Sequence, residues 1–294
     1  MTRRDDDLAP WQRLGAKFRL GLRARPESEW LPFDDAFGNT QRRSEQIKMA
    51  NALLDQQHAA VFAVSDPDHT AANEVLAMVV DNLARFHPDG PPAPRRDLHP
   101  LEAAARLIPE DLLLLDLDPR PRQTAGTQFP DWVLVAAALR FPAHWRLADK
   151  MDKPLAAIHE PVPHYGAVLE TPMDRFFTNM KIGPISHRWN WTVVTSPELF
   201  TPDRAHNPPV RIAEGIDRLR VRMESQTLRK LPESGQILFT IRTYSEPVLN
   251  WVDCPDAIEE LAEMTAAMSP PVRDYKGVDR YEAALQHYVA TRQA

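Results

Sequence analysis

Leu219-Arg220-Val221-Arg222-Met223-Glu224 alternates apolar and charged residues without a break, and the segment runs on to Leu228. A second segment, Ile237 to Tyr244, is rich in β-branched and aromatic residues, and Pro232-Glu233-Ser234-Gly235 stands between the two. Successive side chains of a strand point to opposite faces, so strict alternation marks a strand with one buried face and one wet or functional face. The pair reads as a long antiparallel hairpin. Leu112 to Leu117, Trp132 to Phe141 and Trp189 to Val194 have the same short, β-rich character, with turn residues such as Asp118-Pro119-Arg120-Pro121 between segments. Together they predict an antiparallel sheet with embedded helical connections.

The first hundred residues look helical and peripheral. Thr40 to Gln57 carries Ile47, Ala50, Leu53 and Leu54 at helical spacing, and Thr70 to Phe86 carries Val75, Met78, Val79, Leu83 and Phe86. Asp66-Pro67-Asp68 and Thr70 supply start signals for the second helix, and Glu74 suits the dipole of its first turn. Four prolines between Pro88 and Pro94 then force an extended connector. Two amphipathic helices, Asp256 to Met268 and Val278 to Arg292, close the chain. The fold class is α+β, divided into residues 1–100, helical, and residues 101–294, a sheet domain with C-terminal helices.

Composition excludes several chemistries. The chain has 294 residues, with 28 prolines, 10 glycines and one cysteine. No two glycines lie closer than six positions, so neither G-x-G-x-x-G nor G-x-x-x-x-G-K is present, and a dinucleotide fingerprint and a P-loop are both absent. Cys254 alone makes no intramolecular disulfide, multi-cysteine zinc site or all-cysteine cluster, and it reads as a surface or packing thiol. A net charge of −6 gives no reason to expect nucleic acid or an anionic membrane as partner. Met1 to Asp7 turns acidic where a signal peptide needs apolar residues, and runs such as Val133 to Leu139 are far short of the roughly 20 that span a bilayer. The chain reads as cytoplasmic.

Neither G-x-S-x-G nor H-E-x-x-H occurs, so histidines and arginines carry what chemistry the residues suggest. His69, His87 and His99 lie in polar or proline-rich loops and read as solvated. His159 ends the apolar run Leu155-Ala156-Ala157-Ile158, and Pro161 and Pro163 stiffen the path that leaves it. A stiff backbone beside an apolar wall suits an axial metal or haem ligand, and equally a buried histidine bonded to a carbonyl. A zinc pair of His159 with His164 is weaker, because no third ligand is evident. Arg188 stands beside Trp189 and Trp191, Arg229-Lys230 ends one hairpin strand, and Arg242 sits inside the other. A guanidinium in an apolar strand needs a partner: a protein carboxylate, with Glu224 and Glu246 as candidates, or the carboxylate of a ligand.

Several segments, in order and at matching spacing, resemble the haem-dependent oxidative N-demethylase family. They are Phe141-Pro142-Ala143-His144-Trp145, Lys153 through Pro163, Asp174-Arg175-Phe176-Phe177, Arg188-Trp189-Asn190-Trp191, Ser225 through Pro232, and Phe239 through Tyr244. Tyr275-Lys276-Gly277 resembles the start of the family's closing helix, and the likeness runs from about Phe18 to about Tyr288. It implies a PAS-like fold enclosing haem b, and oxygen-dependent N-demethylation of a small secondary amine, dimethylamine, with release of formaldehyde. His159 is then expected as the axial iron ligand, and Arg188, Arg229 and Arg242 at the haem propionates or the distal pocket. Glu224 is expected to meet a cationic amine.

With no nucleotide loop, electrons are expected from a separate reductase carrying flavin and an iron–sulfur centre. Ser225 and Lys230 stand where the family commonly has arginine, Trp189 replaces a smaller aliphatic residue, and Asp118 to Asp131 is richer in proline and threonine. These departures are expected to bear on pocket size and amine choice. The alternative from another class is a non-catalytic PAS-like haem sensor, since fold alone does not decide function. The terminal helices lack sustained heptads and no output domain is expected after them, which favours the enzyme.

Overall fold

Seven strands form one antiparallel sheet in the computed structural model, which describes residues 8–15, 21–33, 40–65, 68–120 and 129–293. Met1 to Asp7, Phe18 and most of Asp118 to Asp131, about which the sequence raised expectations, lie outside the described residues. The strands are β1 (Arg23–Arg25), β2 (Phe62–Val64), β3 (Asp111–Leu117), β4 (Trp132–Ala138), β5 (Ile185–Val194), β6 (Arg220–Lys230) and β7 (Ile237–Pro247). Their order across the sheet is β1-β5-β6-β7-β3-β4-β2. The helices are α1 (Pro10–Leu14), α2 (Thr40–Gln56), α3 (His58–Val61), α4 (Thr70–Phe86), α5 (Pro100–Ala105), α6 (Leu155–Ile158), α7 (Glu170–Asn179), α8 (Ala257–Ala266), α9 (Pro270–Lys276) and α10 (Glu282–Gln293). The α+β class and the long hairpin match the sequence pattern.

Register turns the alternation of β6 and β7 into two chemically distinct faces. Ser225 lies opposite Arg242, while Arg188 on β5 lies opposite Gln226 on β6, which lies opposite Ile241 on β7. One face therefore carries Val221, Met223, Ser225, Thr227, Leu238, Thr240, Arg242 and Tyr244. It is buried under the N-terminal helices and under α8 and α10, in cores built around Val75, Val79 and Leu83 and around Trp11, Ile258 and Leu285. The other face carries Arg188, Asn190, Glu224, Gln226, Leu228, Phe239 and Ile241, with Leu155 of α6 and Phe177 of α7 packed over part of it. Most of these β5 and β6 side chains are only half-buried.

β3 is sandwiched between both layers, which explains why Leu112 to Leu115 is continuously apolar and not alternating. The first hundred residues are not purely helical or peripheral: β1 pairs with β5 and β2 with β4 at the two ends of the sheet. Glu74 does more than suit a helix dipole. Its carboxylate accepts from the backbone N–H of Glu233 (2.7 Å) and of Ser234 (3.0 Å), tying α4 to the β6–β7 turn. His87 is buried, with Nε2 on the Leu31 carbonyl (2.6 Å), and His99 Nδ1 caps α5, so neither is a solvated loop histidine.

A buried ion pair pins the strand ends. Arg140 and Asp111 have fully buried side chains 3.3 Å apart, and Asp111 also accepts the N–H groups of Arg140 (2.7 Å) and Phe141 (3.1 Å). Arg140 spends its other donors on the carbonyls of Ala105, Ile108 and Glu110. Removing one partner strands a charge in the interior, and Asp111→Ala is expected to lower stability by about 3–5 kcal/mol. Urea unfolding checks this; a loss under about 1 kcal/mol, the usual worth of an exposed pair, would show the pair is dispensable.

Candidate functional site

The segment 155–165 builds the site from its backbone outward. α6 is a single turn, and His159 is its C-terminal cap. The His159 Nδ1–H donates to the Leu155 carbonyl one turn back (2.8 Å). A carbonyl only accepts, so this bond places the ring proton on Nδ1 and leaves the lone pair on Nε2. No described residue bonds to Nε2. Tyr165 stacks on the imidazole, with ring centres 4.7 Å apart and planes within 5° of parallel. Stacking covers the ring's flat side and leaves the in-plane lone pair accessible. Burial pulls the imidazole pKa below its ordinary value, with the Leu155 bond opposing and Lys150 and Arg188 reinforcing that pull. The ring is therefore neutral at physiological pH, as a ligand must be.

The carbonyl bond is present, and it leaves a ligand role at Nε2 open. Metal-ligating histidines commonly give their second N–H to a carbonyl, which fixes ring orientation and raises basicity. Free Nε2, neutral ring and half-open sheet face together fit an axial ligand of haem iron.

Arg188 shares that face. Its guanidinium is pulled down in pKa by burial and held up by Glu224, and its Nε is buried without a partner. Glu224 accepts from Gln226 Nε2 (3.0 Å), Asn190 Nδ2 (3.3 Å) and Arg222 Nε (3.4 Å). Lys276 and Tyr275 lie within its electrostatic reach; burial brings the Lys276 pKa down to about 8, with Glu224 opposing. Beside α7, a groove of about 410 Å³ is lined by Arg175, Phe176, Met180, Lys181 and Ser186 among others. Ser186 lies two residues from Arg188 on the same side of β5.

The structure thus joins His159, Arg188 and Glu224 and separates the other two predicted residues from them. Arg229 and Arg242 occupy the opposite face, because each differs by an odd step from the His159-facing positions of its strand. Arg229 pairs with Glu27 (2.8 Å) and lies over the Trp30 ring at 4.3 Å. Arg242 lies 4.0 Å from Glu110, not beside Glu224 or Glu246; Glu246 is taken by Arg42 and Asn250. Arg222 lies 3.4 Å from Glu224, and Arg188 and Lys276 also lie within its electrostatic reach. Ser225 and Trp189 lie on the far face as well, so those two departures do not line the His159 side. Ser225 Oγ instead takes Arg25 and His187, each at 2.9 Å.

The sequence reading missed Asn190 and Gln226, whose parity on β5 and β6 marks them once the register is known. It also missed the neutral histidines. His144 and His187 are both brought down to about 4, by burial first and then by neighbouring arginines, and burial lowers His87 too. Unfolded histidines take up protons near pH 6.5, whereas the folded ones resist until about 4. The unfolded state binds more protons in that window, so stability is full above it and falls as pH drops. His187→Gln is expected to flatten the decline between pH 6.5 and 5 by up to about 1.4 kcal/mol per pH unit. Unfolding free energies at pH 5, 6 and 7 test it, and an unchanged slope would contradict it.

Among the described residues no helix is long and apolar enough to cross a membrane. The family model described as haem-dependent oxidative N-demethylase, alpha subunit-like, matches residues 89–286, which hold the sheet from β3 to β7, α6 and α7. That match covers more than half of the chain and takes in His159, Arg188 and Glu224. On this match, with the ordered motifs that fall inside it, the chain belongs to the haem-dependent oxidative N-demethylase, alpha subunit-like family.

Proposed function

We propose that this protein is a haem b monooxygenase that removes a methyl group from a small methylated amine of dimethylamine size, releasing formaldehyde, with His159 as the iron ligand. The observation that carries the reading is the His159 ring, fixed through Nδ1 on Leu155 and unspent at Nε2. The single antiparallel sheet, with the α6–α7 connection laid over one face, supports a PAS-like enclosure of the cofactor. When bound, haem supplies the activation of O2, using two electrons from an external flavin and iron–sulfur reductase. In balance, the methylamine, O2, two electrons and two protons give the demethylated amine, formaldehyde and water.

The chain's own residues do the positioning. Leu155 and Tyr165 hold the imidazole; Leu228, Phe239 and Ile241 give an apolar floor that keeps water from the reacting carbon. Arg188, with a buried Nε not spent on protein, suits a haem carboxylate. Glu224 holds Asn190 and Gln226 in place. The groove beside α7 is a route for a small amine. Because Arg222 and Lys276 already stand against Glu224, its carboxylate is not left to an ammonium, and the amine binds as the free base.

Purified protein is expected to show a Soret band, and His159→Ala to cut haem occupancy at least tenfold, with part restored by added imidazole. Normal haem content in that variant removes His159 as ligand. With haem loaded and a reductase supplied, kcat/KM for the amine is expected to rise about tenfold per pH unit below the amine's own pKa. A flat or falling profile would mean that the ammonium is the bound form.

A further inference from the structure

The buried face opposite His159 holds a second cluster of charged residues. α2 crosses β7 there and presents Arg42, Arg43 and Gln46 to the sheet. Arg42 pairs with Glu246, and Gln46 Nε2 donates to the Thr243 carbonyl (2.9 Å). Arg43 differs: its Nε and Nη2 are buried with no hydrogen-bond partner among the described residues. Arg242, 3% exposed, likewise leaves Nε and Nη1 unspent, and Glu110, 2% exposed, leaves both carboxylate oxygens unspent. Glu110 stands 4.0 Å from Arg242, outside hydrogen-bond reach, and Gln46 Oε1 is orphaned beside them.

Orphaned donors and acceptors at this depth cost free energy unless something bridges them. Charge says what kind of group that is. Arg25 faces Glu29 at the rim and Arg42 pairs with Glu246, which leaves Arg43 and Arg242 against Glu110. His87, whose pKa burial lowers and whose electrostatic neighbours here are Arg43 and Glu110, adds no charge. Among the described residues, one positive charge remains buried and uncompensated. Water would satisfy the hydrogen bonds but not the charge.

We propose that one small monovalent anion, of halide or formate size, is bound between Arg43 and Arg242, where α2 crosses β7. It takes N–H donors from both guanidiniums, neutralises the cluster, and fastens α2 to the sheet. This site is independent of haem, since it lies on the other side of the sheet from His159. A dianion does not suit it, because the cluster has one net charge to give.

The test uses the protein as purified, in buffers of constant ionic strength in which chloride replaces gluconate. The thermal midpoint is expected to rise by roughly 2–4 °C per tenfold of chloride above the dissociation constant. Arg43→Met leaves a neutral Arg242–Glu110 pair, so this variant is expected to fold and to ignore chloride; Glu110→Gln is expected to shift the chloride midpoint at least tenfold lower. Bromide-soaked crystals are expected to show an anomalous peak between the two arginines. The proposal fails if the wild-type midpoint does not follow chloride, if Arg43→Met keeps the dependence, or if only ordered water occupies the gap.

Discussion

The two-residue period of β6 and β7 is the constraint on which the rest of the molecule depends. With Ser225 fixed opposite Arg242 and Gln226 opposite Ile241, every other side chain of the hairpin is assigned to a face. One face closes under the N-terminal helices and α8 and α10; the other keeps half-buried polar residues for α6 and α7 to cover. A slip of one residue would exchange the two sets, moving Glu224 and Gln226 under the helices and Met223 and Thr227 into the open. Glu74 guards against this by gripping the turn that sets the register.

Upon that sheet, the proposed function rests on holding one imidazole. The single-turn helix α6 brings the Leu155 carbonyl to the His159 Nδ1, Tyr165 stacks on the ring, and burial keeps it neutral. Each effect is modest alone, yet all three act on the same atom, Nε2. On the same sheet face Glu224 accepts from Arg222, Asn190 and Gln226. The proposed N-demethylation has the amine arrive there neutral.

Much of this was legible in the residues. Alternation in Leu219 to Leu228 gave the hairpin, the prolines around His159 marked a stiff turn, and the α+β class followed. Arginine roles were not legible, because parity is invisible until the register is known: Arg188 and Arg242 look alike in sequence yet lie on opposite faces. Arg242's neighbour, Glu110, is 132 positions away and belongs to the residue before β3, so no local pattern announces it. β1 and β2 are three residues each, too short to show alternation, and their pairing comes from the sheet edges they meet.

The central claim, that His159 Nε2 binds the iron, is met most directly by resonance Raman spectroscopy of the dithionite-reduced, ligand-free protein. An iron–histidine stretching band is expected that disappears in His159→Gly, returns when imidazole is added, and shifts when that imidazole carries nitrogen-15. A band that survives in His159→Gly without imidazole would place the iron on another residue and contradict the account.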